Sequence, residues 1–249
     1  MNNMSIILLL ILITYQTVAS VMDMRDIKKR KGIDITEKMR LDFYKETIIW
    51  GWVPVCIIFL FIIFTSMSLQ DIGLRKIVLS DFMWLNIIVF IIMGIVVISL
   101  AYQVIMYFSK EEFRKETAIE IENKKNSDSY YDKVVFNLIV PRTLKEKKYF
   151  LFVSLTAGIC EEIHLRGCLI FLLRDILPDL HIAVIGVGAS LLFGVFHCYQ
   201  GLSGIIKTSI LGVLFVAIYF ATDSLVPGIV LHFLFDFSSA FLVRGEIKV

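Results

Sequence analysis

Eight consecutive residues, Cys160-Glu161-Glu162-Ile163-His164-Leu165-Arg166-Gly167, put two carboxylates, an imidazole and a guanidinium into a largely apolar stretch. Apolar sequence flanks them from Tyr149 to Ile159 and from Cys168 to Leu173. The run is long enough to cross a bilayer as a helix, which takes roughly 20 residues. Each charge at mid-span costs roughly 2.5–3.5 kcal/mol on insertion scales, so ionisable groups there mark a functional site. At 3.6 residues per turn, Glu162 and Arg166 stand one turn apart and can pair. Glu161 lies about 100° round the helix and faces something else. His164 falls on the side away from Glu162.

Two more pairs repeat the one-turn spacing, Phe193-x-x-x-His197 and His232-x-x-x-Asp236. Buried charges must pair or face water, so Glu161, Glu162, His197, His232 and Asp236, on three helices of one bundle, read most economically as one shared polar pocket. A carboxylate and an imidazole can polarise one water from two sides and make it a nucleophile. A second imidazole with a polar partner can stabilise the oxyanion of a tetrahedral intermediate. The same side chains could instead hold a divalent metal such as zinc, with Glu161, His197 and His232 as ligands. The commonest zinc-protease signature, HExxH, is absent.

The elements that must position these groups are membrane helices. Of 249 residues 57% are hydrophobic, and the mean hydropathy is +0.78. The expected fold is all-α, a polytopic transmembrane helical bundle of about seven spans with a polar cavity facing the cytoplasm. Met4 to Val21 reads as an anchor rather than a cleaved signal: no Lys or Arg precedes it, and Arg25, Lys28, Lys29, Arg30 and Lys31 follow it. Thr47 to Met67 is the second span, with Trp50 and Trp52 at its entrance and Pro54 inside. Ser68 to Asp81 lies along the outer interface, and Trp84 to Phe108 crosses again.

Lys110 to Lys148 is a long loop dense in both charges, helical through Lys125 and broken at Asn126-Ser127-Asp128-Ser129. The fourth span contains the charged octet and ends near Arg174. Ile182 to His197 is the fifth, with Gly186, Gly188 and Ala189 as a small-residue packing face. Leu202 to Phe220 is the sixth. The seventh, after an N-cap at Asp223 or Ser224, runs to Val243 and is followed by Arg244 and Lys248. An outside N-terminus and a cytoplasmic C-terminus put every basic cluster on one side. Counted from Lys148 at roughly 1.5 Å per residue, Glu161 lies about 20 Å along its helix, whereas His197 sits at a helix end. The fourth span must therefore tilt or begin outside the membrane for the two to share a water.

Cys56, Cys160, Cys168 and Cys198 lie in apolar surroundings without CxxC spacing, as small buried residues do. Nothing resembles a nucleic-acid motif.

The motifs Glu161-Glu162-x-x-x-Arg166-Gly167, Phe193-x-x-x-His197 and His232-x-x-x-Asp236 resemble those of the CAAX protease and bacteriocin-processing family of intramembrane proteases. The run from Gly212-Val213-Leu214 through Thr222 to Ile229 resembles the family's approach to its last motif. The likeness covers about 145–243, so 1–148 reads as N-terminal spans with basic loops and 149–249 as the catalytic core. It implies that Glu161 and His197 activate water, that Glu162 and Arg166 order the site, and that His232 and Asp236 hold the oxyanion. The family often has Asn where this chain has Asp236, and an ionised Asp only accepts hydrogen bonds. Members have been described both as metalloproteases and as needing no metal.

The expected activity is hydrolysis of a peptide bond in a membrane-associated peptide or protein with a hydrophobic or lipidated segment, whether CAAX-type, pheromone or bacteriocin-like. The alternative is a non-proteolytic immunity or regulatory partner in the membrane. A proton-coupled transporter fits less well, because no paired repeat is visible.

Overall fold

The computed structural model describes residues 2–113, 115–117, 119 and 130–241. The break at Asn126–Ser129 and the basic residues after Val243 lie outside the described residues. All regular structure among the described residues is helical. The helices are α1 (Asn2–Lys29), α2 (Glu37–Phe64), α3 (Met83–Ser109), α4 (Tyr130–Ile139) and α5 (Leu144–Glu161), then a π-helical turn (Glu162–Cys168), α6 (Leu169–Ile176), α7 (Ile182–Phe196), α8 (Gly201–Thr222) and α9 (Val226–Phe241).

By length and composition four of these can cross a membrane: α1, α2, α3, and α8 with the short 3₁₀ turn before it. α7 and α9 are shorter apolar helices, and the charged octet lies in a rod broken by its π turn. The protein is an all-α membrane bundle. Its surface fits that solvent, since Leu60, Ile63, Phe64, Ile95, Ile98 and Ile105 are exposed apolar side chains on α2 and α3.

One core runs through nearly every element. Leu8 and Leu12 of α1 and Val55 and Ile58 of α2 pack with Ile163, Leu165 and Leu172, and with Ile185, Ala189 and Phe193 of α7. The chain before residue 149 therefore shares its interior with the chain after it. α3 is attached more lightly, through Val89 against Phe215, Ile218 and Leu231.

α5 begins with a capping box. Thr143 Oγ1 accepts from the Glu146 N–H at 3.2 Å, and the Thr143 N–H donates to Glu146 Oε2 at 2.9 Å. Glu146 has no exposed surface, and its Oε1 takes the Arg40 Nε–H of α2 at 2.7 Å. Tyr44 on the same face donates to the Ile139 carbonyl at 2.8 Å. The first turns of α5 thus lie beside the charged first turns of α2, ahead of its apolar stretch. α4 was not anticipated: the charged loop folds back as a helix that buries Val134 and Leu138.

The opposite end is tied by the 65–82 segment. Val78 and Ser80 N–H groups donate to the Thr222 and Ala221 carbonyls at 2.9 Å. Arg75 pairs with Asp223, which closes α8 in the left-handed region at φ 47°. Asp223 is therefore a C-cap, and Leu225, whose carbonyl takes the first bond of α9, is the N-cap residue; Ser224 just before it accepts from the Val226 N–H at 3.3 Å. Two further expectations need correcting. Of the small residues of α7, Gly186 and Ala189 face the core, but Gly188 faces open space. Cys56 is exposed rather than buried.

Candidate active site

The charged octet does not continue as a regular α-helix. Residues Glu162–Cys168 form a π-helical turn in which the Leu169 N–H reaches back five residues to the His164 carbonyl. All seven residues of the turn are buried. Gly167 is required by close approach: a Cβ there would sit 2.5 Å from the Ile72 carbonyl oxygen. π-turns of this kind recur at functional sites, where the extra residue re-aims the side chains.

Inside the turn, Glu162 and Arg166 pair at 3.4 Å, each with 1% of its side chain exposed. Glu162 Oε1 also accepts from His232 Nδ1–H of α9 at 2.9 Å. The Arg166 guanidinium lies over Phe193, 4.1 Å from the ring centre, with Phe215 at 5.3 Å. Its terminal nitrogens make no hydrogen bond to described residues, so the two ring faces and Glu162 carry its charge. The His232 ring stacks on Phe215 at 4.8 Å. This buried network locks the π turn to α7, α8 and α9.

Glu161 points the other way, with 32% of its side chain exposed. Its Oε2 is 3.8 Å from His232 Nε2, and Asp236 Oδ2 is 3.7 Å from the same nitrogen. These gaps are too long for direct hydrogen bonds and fit a bridging water or a substrate atom. His197, just past α7, donates its Nδ1–H to the Phe193 carbonyl at 2.8 Å. In the neutral ring that leaves Nε2 as the acceptor.

Glu161, His164 and His197 line one cavity of about 360 Å³. Its walls come from α1 (Tyr15, Val18, Met22) and α2 (Phe43, Trp50, Pro54), with Phe193 and Phe196 of α7. Asp23, Asp26, Arg30 and Glu46 also line it, at the end of the bundle that carries the basic segments. Glu162, Arg166 and His232 are buried beside Glu161, while Asp236 keeps 30% of its side chain exposed across His232 Nε2 from it. A larger cavity, about 580 Å³, lies at the other end among Arg75, Arg174, Asp175 and Tyr219, away from the acid–imidazole cluster.

Among the described residues no three His, Cys, Asp or Glu side chains gather closely enough to hold a metal ion. Glu161, His197 and His232 thus do not form a zinc ligand set in this structure: His232 spends Nδ1 on Glu162 and turns Nε2 toward two carboxylates.

Two positions were under-read in the sequence. The Thr143-x-x-Glu146 spacing is a capping-box signal that marks the start of α5. His164, placed away from Glu162 by α-helical counting, is on the cavity wall with Glu161. A π turn has no simple signature in a single sequence.

The fold and the cluster define an α-helical membrane protein with an acid–imidazole site under an apolar cavity. Residues 145–238, from the first turn of α5 into α9, match the family model described as type II CAAX prenyl endopeptidase Rce1-like. Over this stretch, which is less than half of the chain, the protein is similar to the type II CAAX prenyl endopeptidases. No curated protein and no solved structure matches the chain.

Proposed function

We propose that the protein hydrolyses a peptide bond of a membrane-associated peptide, using a water held between Glu161 and His197. The observation that carries this reading is their shared cavity: an accessible carboxylate and an imidazole whose Nε2 accepts, inside walls that are otherwise mostly apolar. His197 Nε2 accepts one water proton as a hydrogen bond while Glu161 takes the other. The water oxygen adds to the scissile carbonyl carbon, and the carbonyl pair moves onto its oxygen. Collapse reforms the C=O bond, breaks the C–N bond, and returns the proton from Glu161 to the leaving amine.

Glu162 and Arg166 order this machinery, and His232, with Asp236 beside its Nε2, holds the oxyanion of the intermediate. Glu162 and Arg166 fix the π turn, and His232 stands between the carboxylates of Glu162, Glu161 and Asp236. The residues from 149 onward carry the chemistry, and α1 and α2 supply the cavity walls. Those walls suit a hydrophobic or lipidated segment of the substrate. The cavity opens to the cytoplasm, the side to which the basic segments assign it.

The test is cleavage of quenched fluorescent CAAX peptides, farnesylated and unprenylated, by purified protein with and without a chelator. Glu161→Gln and His197→Ala are each expected to lower kcat by about 10²–10⁴-fold. Cleavage that survives both substitutions, or wild-type protein that cuts none of the panel, would favour a non-proteolytic immunity or regulatory partner. The chelator arm separates water-only from metal-assisted chemistry.

A further inference from the structure

We propose that the larger cavity, at the end of the bundle away from the acid–imidazole cluster, binds the headgroup of an ethanolamine phospholipid. The lipid phosphate lies against Arg174 and Arg75, and its ammonium against Asp71 and Asp175. The site stands apart from the endopeptidase reading, and none of these residues belongs to the cluster around Glu161.

Helix ends set the level of this cavity in the membrane. α2 ends at Phe64, α6 at Ile176 and α8 at Thr222, while α3 and α7 begin at Met83 and Ile182. Ser5, at the start of α1, donates to Asp175 Oδ2 at 2.7 Å, and the 65–82 segment is tied to the end of α8. Spans that turn together mark the boundary between hydrocarbon and headgroups, where charged side chains meet lipid phosphates. The volume, about 580 Å³, falls within the roughly 300–1,000 Å³ of small-molecule sites.

Two guanidinium groups and two carboxylates line the cavity. Arg174 makes no hydrogen bond or ion pair with any described residue. Arg75 gives its Nε–H to the Asp223 carbonyl at 2.9 Å and pairs with the Asp223 carboxylate. Asp71 Oδ2 accepts the Ser68 N–H and Oγ–H, each at 2.8 Å, and Asp175 Oδ2 accepts from Ser5. The second oxygen of each carboxylate has no bonded partner among the described residues. A free guanidinium matches a phosphate, and free carboxylate oxygens match N–H donors. A headgroup with a phosphate and a primary ammonium answers both. A choline ammonium has no N–H to give, and a purely anionic headgroup would face two aspartates.

The remaining walls favour a lipid over a soluble zwitterion. Ile170, Phe171, Leu177, Leu180 and Ile182 complete the cavity. Leu177 and Leu180 are exposed at its rim, and Val184, Val187, Leu191 and Val195 continue as an exposed apolar stripe along α7. Their spacing of three and four residues keeps them on one helix face. An acyl chain laid on that stripe brings its headgroup to the cavity.

The experiment uses the full-length protein, delipidated in detergent, and native mass spectrometry with phosphatidylethanolamine, phosphatidylcholine and phosphatidylglycerol of identical acyl chains. Phosphatidylethanolamine is expected to bind at least about tenfold tighter than the other two, the effect of one charge-assisted hydrogen bond. Arg174→Ala and Arg174→Gln are each expected to weaken it by about tenfold or more. Asp175→Asn keeps an oxygen for Ser5 and is expected to abolish the preference for ethanolamine over choline, with phosphatidylcholine binding unchanged within about threefold. Lys28→Ala, exposed on the basic segment after α1's apolar run, is the control and is expected to bind like the wild type. Melting temperature checks folding and linkage together: the Arg174 variants are expected to match the wild type without lipid and to lose the rise that phosphatidylethanolamine gives it.

Equal binding of the three lipids, or a preference that survives both Arg174 substitutions, overturns the site. Phosphatidylglycerol binding tightest makes it an anion site and overturns the zwitterion. Free phosphoethanolamine that raises the melting temperature as much as the lipid, at equal concentration, overturns the assignment to a lipid.

Discussion

His232 donates its Nδ1–H to Glu162 Oε1 across 2.9 Å, joining α9 to a π turn seventy positions earlier in the chain. The same carboxylate pairs with Arg166 at 3.4 Å, so one acid holds two cationic or potentially cationic partners in a site that water does not reach. Removing one member of a buried ion pair costs more than the pair contributes, because the remaining charge is left uncompensated.

Glu162→Ala is therefore expected to destabilise the protein by about 3–5 kcal/mol, since Arg166 keeps its charge under Phe193 and Phe215. The double variant Glu162→Gln/Arg166→Met, which removes both charges, is expected to regain most of that loss. Chemical or thermal unfolding in one detergent measures both. Equal stability of the two variants would refute the pairing argument.

The start of α5 hangs on Glu146, which closes its own capping box and takes the Arg40 Nε–H. Glu146→Ala is expected to cost about 3–5 kcal/mol and to lower activity indirectly, by loosening α5 against α2. Glu146→Gln keeps a cap acceptor and is expected to be milder. A melting temperature unchanged in the Ala variant would show that the pair carries no strength.

Gly167 has no room for a side chain beside the Ile72 carbonyl and Leu225. Gly167→Val is expected to destabilise by about 1–3 kcal/mol or more through overpacking, and Gly167→Ala by less. Gly188→Ala, facing open space on α7, serves as the control and is expected to be neutral within about 0.5 kcal/mol. Unfolding midpoints in a denaturant series check the order.

Sidedness is tested at the two ends of the bundle. Ile33 lies in the turn between α1 and α2, and Val78 in the segment along the far end of α8; both are exposed. In a background without native cysteines, Ile33→Cys is expected to react with a membrane-impermeant thiol reagent only from the cytoplasmic side. Val78→Cys is expected to react only from outside. The reverse pattern would turn the cavity to face away from the cytoplasm.

What the sequence determined by itself was the membrane class, the helical bundle and the presence of ionisable residues within its apolar runs. Hydropathy over 20 residues and charge in an apolar run are local properties, and a bilayer leaves helices almost no competitors. The one-turn spacings of Glu162 with Arg166 and of His232 with Asp236 were likewise legible, since they need only a helix. Tertiary structure alone decided the rest. The π turn forms where the chain packs against Ile72, Leu225 and the aromatic rings of α7 and α8. Which nitrogen of His232 meets which carboxylate, and which of the acids stays accessible, depend on how α5 and α9 pack against each other. Those contacts join residues far apart in the chain, and no local pattern encodes them.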